Sequence, residues 1–540
     1  MKKILLLAML IPLFISAQPL LSKNFKVELG KPYPVVDADI KYQFYHNGEI
    51  LMVKIEDESI QLLKFDATSL KFTGTKEYKD FPKSYIFEDI VEVADRYYFF
   101  YSYWDKPNKN ERLFVREIDF SKGSFVDKGK KIISVDGKCS GVGYSGNTTN
   151  NYGFFSIAGI SKFNISSSLN SDKFMVQYRK SPENKNDSKN FDKIGTYIFD
   201  MDAKQLYGNV HKMPYTEEQM DNLDYEMDWK GNAYILARVK VKDEKGRYKV
   251  EGSHLELLLL PGESNKELRK TEITFKDKFV SDAWLFENVY GEIVTGGFYN
   301  SKKNSSSADG LFFSHVDTDG EVLSTRYFDI SLEIINQNIK RSAQSKNAKK
   351  ESKGKDVGLV NYIIKQIIVN DDDGSFLVIA ERDYIVSHYS SKTNRTTYTY
   401  HYEDILVTKI TEEGVLSWMK KLPKLQKGTK GKGGMSYKYM SAGSNHYFVY
   451  LDNVKNIDLK HTEVPNRHMD GKGGFLVAYR LDHETGEISK DVLFDLREVK
   501  GMEVYQFNVD RILMLDNSEF IVEVYKKKKQ DILIKVKALN

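Results

Sequence analysis

The sequence predicts an all-β chain folded as a single β-propeller of antiparallel blades, eight in number with seven as the alternative. Three observations predict it. A two-strand unit recurs eight times; tyrosine and phenylalanine are abundant (34 and 31) while 11 prolines and one cysteine are few; and the copies stand at unequal intervals, as they do when blades carry loops of different length. Aromatic and β-branched side chains suit the pleated, half-buried surface of a strand.

The copies read IQLLKFDATSLKF from Ile60, RLFVREIDFSKGSF from Arg112, IGTYIFDMDAKQLYG from Ile194 and HLELLLLPGESNKEL from His254. The later four read GLFFSHVDTDGEVLS from Gly310, DILVTKITEEGVLSW from Asp404, GFLVAYRLDHETGEIS from Gly474 and DILIKVKALN from Asp531. Alternating apolar residues followed by a polar or glycine-containing break are the pattern of a strand and a hairpin turn. Asp66, Asp119, Asp200, Asp317 and Asp482 close five of these strands, where a carboxylate accepts hydrogen bonds from amides two residues on. They read as turn residues. The DTDG from Asp317 lacks the spaced ligands and distal glutamate of a calcium loop.

An apolar strand precedes each copy, as in YYFFYSY at Tyr97, AYILARV at Ala233, EIVTGGF at Glu292 and HYFVYL at His446, each after a short polar turn. DDDG at Asp371 holds that turn position in its own unit, so it reads as a tight turn and not as a metal site. The last copy ends at Asn540 after two strands. NFKVELG, near the other terminus, is expected to supply its outer strand and so close the ring.

The first residues, MKKILLLAMLIPLFISAQ, join two lysines to an apolar run from Ile4 to Ile15 and small residues at Ser16 and Ala17. This is the pattern of a secretory signal peptide, residues 1–17, too short for the roughly 20 residues of a spanning helix. The expectation is an exported protein, periplasmic or extracellular, with no transmembrane segment in residues 18–540. Repeat folds grow by adding units, so one domain is expected across those residues. Cys139 has no partner for a disulfide within the chain and reads as a buried, inert thiol. A formal net charge of +4 over 80 basic and 76 acidic residues gives no case for a nucleic-acid partner.

Ser375 to Leu422 holds the clearest unit, GSFLVIAE followed by DILVTKITEEGVLSW. It resembles the repeat of exported bacterial β-propeller proteins, largely uncharacterised, in which a DILV-K-D-GN--W-K pattern recurs. The resemblance is good for that unit, fair from Glu292 to Phe328 and weak elsewhere. It implies a propeller of secreted character and brings no catalytic residue. Thr411 stands where many such repeats carry aspartate, a change expected to cost a turn hydrogen bond.

In a blade with strands a to d, the b–c hairpins emerge on the face that carries the links between blades. Long connections at Tyr103, Arg179, Lys240, Asn300, Tyr384 and Asp452 therefore predict one elaborated face and one plain one. Two connections are rich in aromatics, Tyr101, Tyr103 and Trp104 on one and Tyr398, Tyr400, His401 and Tyr402 on the other. Such rings suit a sugar face or a protein partner, and the same pattern also arises when tyrosines pack across a twisted hairpin. From Ser331 to Asp356 the pattern changes: Leu332, Ile335 and Ile339 have helical spacing and seven basic residues follow between Lys340 and Lys355. A short helix and then a solvated lysine-rich loop are expected, with contact to an anionic surface as the functional reading. KKLPKLQKGTKGKGG at Lys420 and YKKKKQ at Tyr525 are further basic runs that could join that patch.

No catalytic motif is legible, and neither a metal site nor a cofactor is expected. GYSG at Gly143 lacks the second glycine of a nucleophile elbow, and His461 and His468 lack HExxH spacing. The expected function is a non-enzymatic binding module for a protein or polysaccharide. The alternatives are a carbohydrate-active enzyme with two carboxylates at the channel mouth and an envelope-associated structural protein.

Overall fold

The computed structural model describes residues 22–539 apart from 39, 57–58, 142–160, 183–186, 261–266, 276, 303–306, 318, 356, 430–433, 471–472, 505, 516–517 and 527–528. The signal-peptide segment and GYSG lie outside the described residues.

Eight antiparallel sheets follow one another around a ring, each innermost strand neighbouring the next, and form an eight-bladed β-propeller. Blades 1 to 7 span residues 40–78, 86–136, 164–216, 220–273, 279–329, 362–422 and 438–503. Blade 8 takes its three inner strands from Gln506–Met514, Glu519–Lys526 and Gln530–Ala538 and its outer strand from Phe25–Leu29. Each of the eight sequence copies supplies a c strand. Alternation gives every blade two apolar faces, which is why eight separate hydrophobic cores lie between the eight blade pairs. Phe99, Phe174, Leu236 and Phe448 are fully buried there, each worth about 1.5–3 kcal/mol of transfer free energy.

Turn chemistry follows the sequence reading. Asp66 Oδ1 accepts from Ser69 N at 2.7 Å, Asp119 Oδ1 from Lys122 N at 3.0 Å and Asp317 Oδ1 from Asp319 N and Glu321 N, both at 2.9 Å. Asp200 and Asp482 do the same. Thr411 departs less than expected, because its Oγ1 accepts from Val415 N at 3.3 Å.

Several connections differ from the expectation. Blade 2 turns between Asp105 and Asn110, blade 4 between Lys242 and Tyr248 and blade 6 between Ser390 and Arg395. These three are hairpins of extended strands, because their β-branched and aromatic residues continue the ladder past the sheet. The lysine-rich stretch is helical: α1 is Leu332–Asn336, and α2, Arg341–Glu351, replaces the expected loop. Good helix formers (Ala, Gln, Lys, Arg) without glycine or proline explain this. Lys421 and Lys424, expected among the surface cations, are buried in ion pairs with Asp404 (3.2 Å) and Glu381 (2.6 Å).

Closure of the ring has two parts. Phe25–Leu29 pairs antiparallel with Ile534–Ala538, covering the edge that blade 8 would otherwise leave open. Behind it, Lys54 of blade 1 is fully buried and places Nζ 2.6 Å from Glu523 Oε1 and 3.1 Å from Asp531 Oδ2 of blade 8. Tyr33 donates to the same Glu523 oxygen at 2.6 Å. Burial opposes the Glu523 charge, but Lys54, Arg511 and Lys41 outweigh it and hold its pKa down, while burial and the Glu523 charge raise that of Asp531. Replacing Lys54 with methionine leaves two carboxylates without their ammonium, so Lys54→Met is expected to lower unfolding free energy by about 3–5 kcal/mol. Equilibrium denaturation measures this; a loss below about 1 kcal/mol would show that the cluster does not hold the closure.

Candidate functional site

Among the described residues, the face bearing the b–c hairpins is built up most over blades 5 to 7. Val360 and Leu359, at the end of the link between blades 5 and 6, pair with Ser307 and Ala308 of the blade 5 connection. The turn between α1 and α2 is bound on two sides: Lys421 Nζ donates to Gln337 O at 2.8 Å, and Asn338 Nδ2 donates to His461 O of the blade 7 connection at 2.5 Å. Gln426–Gly428 then pairs with Tyr400–Tyr402 on one side and runs parallel to His468–Met469 on the other. These cross-links make a rigid base.

From that base the blade 6 hairpin projects. Its root is held by Arg382 to Glu403 (2.7 Å), by Tyr384 OH donating to Glu403 Oε1 (2.8 Å), and by Lys365 to Asp383 (2.7 Å). Tyr384 and His401 stack with ring centroids 4.5 Å apart. Cross-strand pairing sets Ile385 opposite Tyr400, Ser387 opposite Tyr398 and Tyr389 opposite Thr396. Because side chains on opposed positions share a face, Ile385, Tyr389, Tyr398 and Tyr400 form one apolar and aromatic surface. Ile385, Tyr389 and Tyr398 are 56%, 59% and 55% exposed.

The structure separates the residues singled out in the sequence. Tyr398 and Tyr400 lie together on that surface, joined by Ile385 and Tyr389, which sequence reading passed over because their shared face depends on register. His401 faces the opposite side, buried against Tyr384, and Tyr402 packs at the hairpin root with 1% of its surface exposed. Tyr101, Tyr103 and Trp104 belong to blade 2, four blades away around the ring. Tyr101 is buried, and Tyr101 and Tyr103 each stack on Phe114 with centroids 5.4 Å apart. Trp104 is half-buried with the Lys138 ammonium 5.5 Å from its ring. Tyr101 and Tyr402 therefore serve packing and offer no surface to a ligand.

A second feature, illegible in the sequence, lines the inner strands. The ladders of strands a and b shift register at Phe87/Asp89, Asn222/Asp224 and Val280/Asp282, and such bulges re-aim the side chains beside them. Gly297 makes the last one possible, since a Cβ there would lie 1.9 Å from the Asp282 carbonyl oxygen. Carboxylates at these bulges bind the neighbouring blade. Asp89 accepts from Tyr42 OH of blade 1 (2.9 Å), Glu88 from Lys162 N (2.8 Å) and Phe163 N (3.1 Å) just ahead of blade 3, and Asp224 from Leu285 N of blade 5 (2.8 Å). Glu287 at the plain-face end accepts from Trp229 N of blade 4. Burial raises Glu88 to about 8, Asp89 to about 6, and Asp224 and Glu287 to about 7, against the hydrogen bonds that favour their charge. Each of these four acids thus ties its own blade to the one beside it or to the segment leading into that blade.

On the plain face, Asp373, His483 and Glu484 could converge on a cation. Lys409 Nζ lies 2.7 Å from His483 Nε2 and 3.2 Å from Asp373 Oδ2, so an ammonium already takes that place. His483 Nδ1 is 2.8 Å from His446 Nε2, whose other nitrogen is 2.9 Å from Tyr439 OH. Burial, His483 and Lys409 lower His446 to about 4, leaving a neutral ring, and His483 links blade 7 to the turn of blade 6 with its Nε2 2.7 Å from Asp373 Oδ2. Asp373 Oδ1 also accepts from Ser375 N at 3.0 Å, in keeping with the turn reading of DDDG. Cys139 is buried, which raises its thiol to about 12.

The propeller is the class of protein that this geometry defines. No family model matches the chain and no curated protein matches it. Among solved structures it is similar to a prolyl endopeptidase at 12% identity and TM-score 0.37, covering 90% of this chain and 54% of that one. It is similar also to the polysaccharide lyase Uly1 (10% identity, TM-score 0.34, 92% and 89% covered). The β-propeller domain of the Trilobed protease from Pyrococcus furiosus is a third (9% identity, TM-score 0.34, 85% and 97% covered). The chain spans about half the length of the prolyl endopeptidase it matches.

A carboxyl whose pKa is raised by folding binds its proton more tightly in the fold than in the unfolded chain. Its contribution favours the fold fully below the unfolded value near 4 and is lost as pH rises through the folded value, about 7 for Asp224 and about 8 for Glu88. The urea midpoint is therefore expected to fall between pH 5 and 9, and to fall less in Glu88→Gln. A decline of the same size in the variant would contradict the burial assigned to Glu88.

Proposed function

We propose that the protein is an exported, non-enzymatic interaction module that binds a partner through the elaborated face over blades 5 to 7. One observation carries this reading: the blade 6 hairpin projects Ile385, Tyr389 and Tyr398 into solvent on a single face above a base fixed by ion pairs. Exposed aromatics held on a rigid support are the usual anchors of a binding surface, since they offer contact area with little loss of conformational freedom. A protein partner suits a face that joins apolar and phenolic contact. Export rests on the pattern of residues 1–17 and on the resemblance of the repeat from Ser375 to Leu422 to exported bacterial propellers. The non-enzymatic reading draws support from the inner-strand acids Glu88, Asp89 and Asp224, each already bound to a donor in, or just ahead of, a neighbouring blade.

Cross-linking in the native envelope, followed by binding measurements on the captured partner, tests the reading. The triple variant Ile385→Ser, Tyr389→Ser and Tyr398→Ser is expected to keep its unfolding midpoint and to bind at least about tenfold more weakly, since one aromatic hot spot is worth about 2 kcal/mol or more. Unchanged capture would reject the hairpin as the binding surface.

A further inference from the structure

We infer that α2 is a docking site for an acidic polysaccharide, a chain of uronic-acid sugars whose carboxylates meet the outward cations of this helix. The inference rests on the interaction-module reading and names the chemistry of one ligand on the same elaborated face.

The helix is unusual in what holds it. None of its residues is buried, and isolated helices of this length are marginal in water. Three residues, Ala343, Gln344 and Asn347, turn towards the body and are partly covered. Gln344 Nε2 donates to Asn336 O (3.0 Å) and Ile339 O (3.3 Å), and Asn347 Nδ2 donates to Asn336 Oδ1 (2.9 Å). Polar contacts on one side thus fix the other side outward, which exposes Arg341, Lys346, Lys349 and Lys350 with Lys353 just beyond the end.

Between Lys340 and Lys355 there are seven cations and one acid, Glu351, although the chain as a whole has 80 basic and 76 acidic residues. Among the described residues none of those seven forms an ion pair, whereas Lys365, Arg382, Lys421 and Lys424 of the same face are all paired with carboxylates. The helix dipole accounts for Lys349 and Lys350 near the C-terminus. It disfavours Lys340 and Arg341 at the other end, where the first turn holds no acid. The excess charge therefore points outward, to an anionic ligand.

Composition selects among polyanions. α2, RSAQSKNAKKE, carries no aromatic or large aliphatic side chain to bury in a membrane interface. Six of the seven cations are lysine and one is arginine, so α2 presents point charges on flexible stems and not the planar fork that grips a single carboxylate or phosphate bidentately. A flexible row of ammonium groups along a helix about 16 Å long suits carboxylates repeated along a sugar chain.

The test uses residues 18–540 and polygalacturonate as the probe, with neutral pullulan, phosphatidylserine vesicles and duplex DNA as controls. Binding is expected to polygalacturonate and not to pullulan, and to weaken at least about tenfold between about 50 and 300 mM salt as exposed charges are screened. The variant Lys346→Gln, Lys349→Gln, Lys350→Gln and Lys353→Gln should bind at least about tenfold more weakly while keeping its unfolding midpoint. Absence of polygalacturonate binding, an unchanged variant, or tighter binding to vesicles or DNA would overturn the assignment. The hairpin variant Ile385→Ser, Tyr389→Ser and Tyr398→Ser should bind polygalacturonate as the unsubstituted protein does, so the two readings fail separately.

Discussion

The contact between the first and last blades is the constraint on which the rest depends. Each blade has two apolar faces, so a row of blades that did not meet end to end would leave two faces in water. Ring closure removes both. It is achieved over a sequence separation of 469 residues by Lys54 and Glu523, and by the outer strand Phe25–Leu29 laid on Ile534–Ala538. The ladder covers an open edge, while the buried charges specify which two blades meet, because an ammonium in that position is tolerable only beside its carboxylates.

The same logic recurs inside the ring. Inner strands pair on one side only, leaving amides that face the adjacent blade. Asp224 accepts from one of those amides, Leu285 N, while Glu88 accepts from Lys162 N and Phe163 N just ahead of blade 3 and Glu287 from Trp229 N in a turn of blade 4, and burial charges all three an electrostatic penalty that shows in their raised pKa values. Acids beside bulged strands would look like catalytic candidates on burial alone. Asp89, Asp224, Glu88 and Glu287 nonetheless each accept from a donor in, or just ahead of, a neighbouring blade.

With the ring closed, the blades differ from one another most in their connections. The face over blades 5 to 7 gathers an ion-paired base, a projecting hairpin and the exposed helix α2. Its two outward features differ in kind: Ile385, Tyr389 and Tyr398 offer apolar and aromatic contact, and α2 offers charge.

All eight c strands, the turn aspartates and the closing role of NFKVELG were legible in the chain, because period-two alternation and turn chemistry are local. Tyr398 and Tyr400 were legible as aromatics of one long connection for the same reason, and Tyr398 is exposed. Their neighbours Ile385 and Tyr389 were not, since the shared face follows from cross-strand register, and Tyr101 and Tyr402 entered the candidate set because burial has no local signature. The sequence by itself determined the architecture and the outward character of the long connections. Only the tertiary structure decided which aromatics face solvent, which lysines are buried in ion pairs and which acids bind a neighbouring blade, because each of those depends on residues brought together from distant parts of the chain.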